Sequence, residues 1–385
     1  MSTDTSVHAK LCALRADLAA NLIDRAEATD AAILALVTRE HALFLGPPGT
    51  AKSMLVRAIC ERITGGIYFE KMLTRFSVME EIFGPLSLSA LENDRYERVT
   101  TGTLVEAHIG FVDEIFKANS AILNSMLTLI NERRYHESGR ARPVPLLSLF
   151  GASNETPEDD SLAALYDRFL IRVVVPYVSD DDSLRRLLDL SPMPPTATIS
   201  LDDLRAAQGE VATVPLTASA VDAIIAVKHE LAQEGIAVSD RRWKQCGTLL
   251  RARAWLDGDV EATDVHGVVL THALWSTPDQ LRVVERCVSK VCAPLNLEAV
   301  ELEDAAKDLY DQRPDVDDAN LTQKLEPLLR QMADIVTRLE TRIANVPEKR
   351  TLRARQALSK IEGWRRELGQ MALRSLSRLH IPGAA

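Results

Sequence analysis

Residues Gly46-Pro47-Pro48-Gly49-Thr50-Ala51-Lys52-Ser53 follow directly on the apolar run 42–45. The arrangement reads as a strand, a phosphate-cradling loop and the start of a helix. Backbone N–H groups of such a loop, with the positive end of the helix behind it, attract anions; a lysine reaches the outer phosphates and a serine hydroxyl meets Mg²⁺. Gly46, Gly49, Lys52 and Ser53 fill those roles, and Pro47, Pro48, Thr50, Ala51 and Met54 complete the stretch expected to touch a nucleotide. The usual pattern has glycine before the lysine, and Ala51 stands there instead.

Two further segments supply the rest of the chemistry. The apolar run 107–112 suits a buried strand and ends in Asp113-Glu114. Asp113 is placed to hold Mg²⁺ together with Ser53, and Glu114 to polarise the water that attacks a γ-phosphate. A second run, 146–152, ends in Ser153-Asn154, whose amide can orient the same water. Taken singly, Gly-Pro-Pro-Gly is a turn, Asp113-Glu114 a solvated strand end and Asn154 a turn residue before Pro157. Jointly those readings require three coincidences at consistent spacing. The order of strand, acid pair, helix, strand and amide predicts an α/β P-loop NTPase core with a parallel sheet, binding ATP or ADP with Mg²⁺.

At this point the chain resembles the MoxR-type AAA+ ATPases, in their RavA-like branch. The resemblance rests on Gly46 to Ser53; on Met72-Leu73-Thr74-Arg75-Phe76-Ser77 followed by Glu80-Glu81-Ile82-Phe83-Gly84-Pro85; and on Phe111 to Ala118. It continues through Asn131-Glu132-Arg133, Gly151-Ala152-Ser153-Asn154-Glu155 and Leu165-Tyr166-Asp167-Arg168-Phe169, covering roughly residues 20–280. That family tolerates alanine before the lysine. The resemblance implies that Arg168 is an arginine finger supplied to a neighbouring subunit, where a guanidinium neutralises charge on the transferring phosphoryl. The residues alone also allow a local ion pair with Asp167. Arg241, in Val238-Ser239-Asp240-Arg241-Arg242, resembles the second sensor arginine of a helical lid, with Arg242 its adjacent competitor. A hexameric ring hydrolysing ATP at subunit interfaces, acting on a protein client beside a von Willebrand A domain partner, is what the resemblance implies. RavA-like chains interrupt their helical arm with a β-rich domain; this chain has no room for one.

The elements that must position these residues follow from periodicity. Amphipathic helices are expected at 7–19 and 24–37, the second covering the adenine pocket, then a helix at 52–63 and a strand at 67–72. Segment 85–104 reads as a hairpin inserted into the second helix of the core, and 134–145 as a polar excursion. In a ring both would face the central channel; the alternative is two exposed decorative loops. Pro192-Met193-Pro194-Pro195 marks a boundary, followed by helical patterns at 201–208, 217–234, 239–256 and 263–274, an all-α lid expected over the nucleotide. Three more helices are expected at 278–312, 318–345 and 348–379. The expected domains are thus 1–190, 196–277 and 278–385.

Composition bounds the function classes. The 385 residues are 46% hydrophobic with a mean hydropathy of -0.05 and no long apolar stretch, so no membrane span is expected. The N-terminus lacks a secretory apolar region. Cys12, Cys60, Cys246, Cys287 and Cys292 are odd in number and scattered, reading as reduced core thiols in a cytosolic protein. The net charge is -10; residues 281–385 hold 18 basic against 16 acidic residues, which leaves -12 for residues 1–280. Such an acidic core argues against a nucleic-acid translocase, as does the lack of a zinc finger or helix-turn-helix. A nucleotide-gated scaffold is the other rival. Segment 348–378 carries 9 basic against 3 acidic residues, either a docking surface or a solvated face paired with acids such as Asp315, Asp317 and Asp318.

Overall fold

The structure is a computed structural model that describes residues 6–137, 139–157, 162–178, 180–190, 194–315, 320–344, 346 and 351–379. Pro192 and Met193, Asp317 and Asp318, Pro347, and the expected helix start at 348–350 lie outside the described residues. The chain divides into two compact units, Met1–Val284 and Glu285–Ala385.

The first unit is built on β1 (His41–Leu45), β2 (Ile63–Thr64), β3 (Tyr68–Met72), β4 (Ile109–Asp113), β5 (Arg134–Glu137), β6 (Arg140–Pro143), β7 (Ser148–Ser153), β8 (Phe169–Val174) and β9 (Ile199–Ser200). Five of these form one sheet in the order β3-β4-β7-β1-β8, and every neighbouring pair is parallel. Its inner strands are apolar runs buried nearly end to end, as a sheet covered on both faces requires. Because all five strands run the same way, the sheet has one carboxyl edge and one amino edge. That polarity decides where each functional side chain lies.

Helices α1 (Val7–Asn21), α2 (Ala26–Thr38), α3 (Lys52–Glu61), α4 (Glu80–Phe83), α5 (Leu88–Leu91), α6 (Ser120–Glu132), α7 (Ala163–Arg168) and α8 (Asp181–Leu188) complete the core. The lid comprises α9 (Leu201–Thr213), α10 (Ala218–Gln233), α11 (Asp240–Leu256) and 3₁₀ turns over Asp264–His272. Helix α2 is buried on nearly every face, since it packs on β1, β7 and β8 on one side and α9 and α11 on the other.

Several expectations are corrected. The run Phe169–Val174, taken only as the tail of a motif, is the strand β8 beside β1, and α8 behind it was not foreseen. Within 263–274, Asp264–His272 winds as 3₁₀ turns rather than an α-helix; Gly267 and its β-branched neighbours favour α-helix poorly. Segment 85–104 is a hairpin held by one antiparallel bridge, Leu86 to Arg98, whose tip is the short helix α5 capped by Ser87, not a β ladder. The polar excursion is the antiparallel pair β5–β6; it packs on α4 through the stacked rings of Phe83 and Tyr135 and on the first insertion through Arg142 Nη2, which donates to Thr100 Oγ1 at 2.9 Å. Together the insertions and α6 line an open cavity of about 510 Å³.

The second unit holds α13 (Pro294–Asp311), α14 (Leu321–Ala344) and α15 (Leu352–Leu379); α12 (Leu281–Cys292) straddles the unit boundary. The single helix expected over 278–312 is broken because Pro294 has no N–H to give and starts a new helix instead. Leu325, Leu328, Met332, Val336, Leu339 and Ile343 form the buried stripe of α14. On α15, Arg353 and Lys360 both pair with Glu303 of α13, so part of the basic helix is neutralised there rather than by Asp315.

Candidate active site

The cradle sits where β1 turns into α3, at the carboxyl edge. Gly46 takes φ +149° and a Cβ there would stand 2.3 Å from the Val175 carbonyl oxygen; Gly49 takes φ +80°. Both positions call for glycine, for different reasons. Ala51 caps α3 in the left-handed region at φ 63°, a conformation a side chain adopts at a cost of about 1–2 kcal/mol. The missing glycine is therefore a strained alanine, not a different loop. Gly46 N–H donates to Ser153 O at 3.0 Å, which ties the loop to the end of β7. Pro47, Pro48, Thr50 and Met54 lie on or beside this loop, with Thr50 Oγ1 donating to Pro47 O at 3.0 Å.

Lys52 is a buried charge in the cradle. Its Nζ donates to the carbonyls of Gly46 at 2.7 Å and Pro47 at 2.8 Å. Burial pulls the ammonium below its ordinary pKa, while the carboxylates of Asp113 and Glu114 work against that shift. Sequence reasoning missed Arg25. Its buried guanidinium donates from Nε to Thr50 O at 2.8 Å and so braces the loop from the start of α2. No motif announces an arginine in that role.

Asp113 closes β4, and its carboxylate accepts from Glu114 N at 3.0 Å. Glu114 takes φ 52° and is 8% exposed. That turn brings its Oε1 to Asn154, whose Nδ2 donates at 3.1 Å, and its Oε2 to Lys117 Nζ at 3.1 Å. The strands β4 and β7 are neighbours in the sheet, so the base and the amide read from separate motifs meet in space. Asn119, also unforeseen, caps α6 and donates to Ser77 O at 3.0 Å, tying the turn after β3 to the segment behind Glu114.

These residues fit a magnesium–triphosphate. The first turn of α3 carries no acidic residue, so its N–H groups offer an anion site, and Lys52, tied to the loop carbonyls, is placed beside it. Ser53 and Asp113 offer hard oxygen donors, the set Mg²⁺ takes alongside phosphate oxygens and water. Among the described residues no group of three or more His, Cys, Asp or Glu forms a self-sufficient metal cage. When bound, the ion neutralises charge on the β- and γ-phosphate oxygens.

Arg168 and Arg241 lie elsewhere. Arg168 ends α7 and immediately precedes Phe169, which pairs with His41 at the amino edge. The length of β1, about 13 Å, separates that edge from the cradle. Arg241 is exposed at the start of α11, within electrostatic reach of Glu40 and His41 at the same amino edge. The lid start thus does not stand over this chain's own nucleotide site, contrary to expectation. Arg242 is buried: its Nε bonds Asp167 Oδ1 at 2.8 Å, and its other nitrogens bond the carbonyls of Asp167, Phe169, Leu170 and Ala273. Asp167 is therefore engaged by Arg242 rather than by Arg168, and Arg168 Nε is buried without a hydrogen-bond partner.

Comparison with known proteins agrees with this geometry. A family model described as the MoxR domain in MoxR-vWA-beta-propeller ternary systems matches residues 9–197, and an AAA lid domain model matches residues 219–288. The uncharacterized protein MJ0812 of Methanocaldococcus jannaschii is 42% identical over 280 residues, covering 72% of this chain and 74% of that one. The chaperone MoxR1 of Mycobacterium tuberculosis is 26% identical over 228 residues, 57% of this chain and 59% of that protein. A crystal structure of a candidate ATPase from Cytophaga hutchinsonii shares the fold with a TM-score of 0.59 at 15% identity, over 74% of this chain and 95% of that one. With a parallel sheet, a phosphate cradle, an acid pair and a helical lid in this order, the chain belongs to the MoxR-type AAA+ ATPase family.

Proposed function

We propose that this protein hydrolyses ATP at the interfaces of a ring, a hexamer of the RavA-like branch, and uses the cycle to remodel another protein in the cytosol. The observation that carries the reading is the split between the two sheet edges. Lys52, Ser53, Asp113, Glu114 and Asn154 gather at the carboxyl edge, whereas Arg168 and Arg241 stand at the amino edge. Arg168 and Arg241 lie a strand's length from their own chain's cradle, and a second copy placed head to tail would supply the missing guanidinium. Head-to-tail contacts that close make rings. The division of labour also follows: Glu114 takes the proton of the attacking water, Asn154 holds that carboxylate in register, and Arg168 of the next copy meets the developing charge.

A von Willebrand A domain protein is the proposed partner, with a β-propeller protein as a third component, since the matching family model describes MoxR domains of such systems. The two insertions would then face the channel and grip the client. Phosphate release from Mg-ATP by the purified chain, against Glu114→Gln, tests the proposal: turnover in the parent and its near-loss in the variant are expected. Equal release from both would overturn it.

A further inference from the structure

The carbonyls of residues 166, 167, 169 and 170, on either side of Arg168, are each held by a buried arginine. Arg242, from lid helix α11, takes Asp167 O at 3.3 Å, Phe169 O at 2.9 Å and Leu170 O at 3.2 Å, besides the Asp167 carboxylate. Arg172, from β8, takes Tyr166 O at 3.0 Å and Phe169 O at 3.2 Å, and lies 3.7 Å over the Tyr166 ring. The same two guanidiniums reach the lid's far end at Ala273 O and Trp275 O, and Tyr166 Oη donates to Ser276 O at 2.5 Å. Residues 166, 167, 169 and 170 are thus bolted to the lid, while Arg168 Nε between them is buried with no hydrogen-bond partner. Buried charges that each satisfy several carbonyls act as rigid joints, because losing one partner strands the rest.

We propose that Arg242 and Asp167 are positioning residues for Arg168, and that lid and finger of one copy move as one body against the next copy's nucleotide. Arg241, one residue before Arg242 on the same helix start, is carried along. The inference rests on the finger reading of Arg168 given above. It assigns the lid a target: a shift of one chain's lid is felt first at its neighbour's site, not at its own. Asp167, 35% exposed in its side chain, is the accessible half of the joint. Lysine in place of Arg242 keeps the charge but loses the planar fork that spans four carbonyls.

The test measures ATP turnover and ATP affinity for Arg242→Lys and Asp167→Asn, alone and mixed with Glu114→Gln chains, with Arg168→Ala mixed in parallel. Alone, each variant should lose at least tenfold in kcat with ATP affinity within twofold. Mixed, each should regain turnover above either pure component, because the Glu114→Gln neighbour donates a well-placed finger to a site that keeps its own base. Arg242→Lys risks folding poorly, and Asp167→Asn carries the same test with a milder change. If Arg168→Ala regains turnover on mixing but neither positioning variant does, Arg242 and Asp167 serve only their own chain and the proposal is overturned. If Arg168→Ala keeps normal turnover on its own, the finger reading falls and this inference falls with it.

Discussion

At the scale of single residues, the site is a set of compromises between backbone strain and placement. Ala51 and Glu114 both hold positive φ, and both do so where a functional group must be aimed. Ala51→Gly should therefore relieve the turn, offset in part by glycine's greater freedom in the unfolded chain; a net gain of up to about 1 kcal/mol in denaturant unfolding is expected. A loss of stability would show that the methyl group packs usefully. Lys52→Ala should abolish nucleotide binding in a fluorescent-nucleotide titration. Glu114→Gln should bind ATP normally and turn it over on the order of 100-fold more slowly, the contribution of a placed base. The types and spacing of Lys52, Asp113, Glu114 and Asn154 were legible in the sequence because Asp113-Glu114 and Asn154 stand at the ends of apolar runs and Lys52 follows one through a glycine-bearing loop. Arg25 and Asn119 were not: their roles come from where α2 and α6 start relative to the loop, and no local pattern encodes that.

At the scale of elements, the amino edge is held by a buried neutral imidazole. His41 accepts from Leu149 N at 2.9 Å through Nδ1 and faces Ile130 O through Nε2 at 3.4 Å. Protonating Nδ1 would set two N–H groups against each other. Burial, reinforced by Arg133, takes its pKa down to about 3 from the ordinary 6.5. The unfolded chain therefore binds a proton that the folded chain refuses in the window between those values. Stability should fall as pH drops below 6.5, by about 1.4 kcal/mol per unit from this group. His41→Gln should flatten that dependence in urea unfolding between pH 7.5 and 5; an unchanged slope would remove His41 from the account. Most elements of the core and lid were readable from period and caps, such as α6 over Ser120–Glu132. The misses have physical causes: Phe169–Val174 carries a buried arginine that masks a strand, and Ala293-Pro294 splits a pattern whose apolar period continues across it.

At the scale of the whole molecule, the proposed reaction divides between the two sheet edges. Asp113, Glu114 and the cradle lie on one edge and Arg168 and Arg241 on the other, so under the proposed function an isolated chain would lack the finger that a head-to-tail neighbour would supply. The family resemblance could single out Arg168 and Arg241 but not their edge, since that depends on the sheet order and on β8 lying beside β1. The account expects Arg168→Ala to bind ATP with unchanged affinity, to lose turnover by about 10³-fold or more, and to recover on mixing with Glu114→Gln chains. The most direct measurement is a cryo-EM map of Glu114→Gln assembled with Mg-ATP. The account predicts a ring in which the Arg168 guanidinium of each copy lies within hydrogen-bond distance of the γ-phosphate held by Lys52 of the next. An occupied cradle with every neighbouring arginine turned away from the phosphates would contradict it.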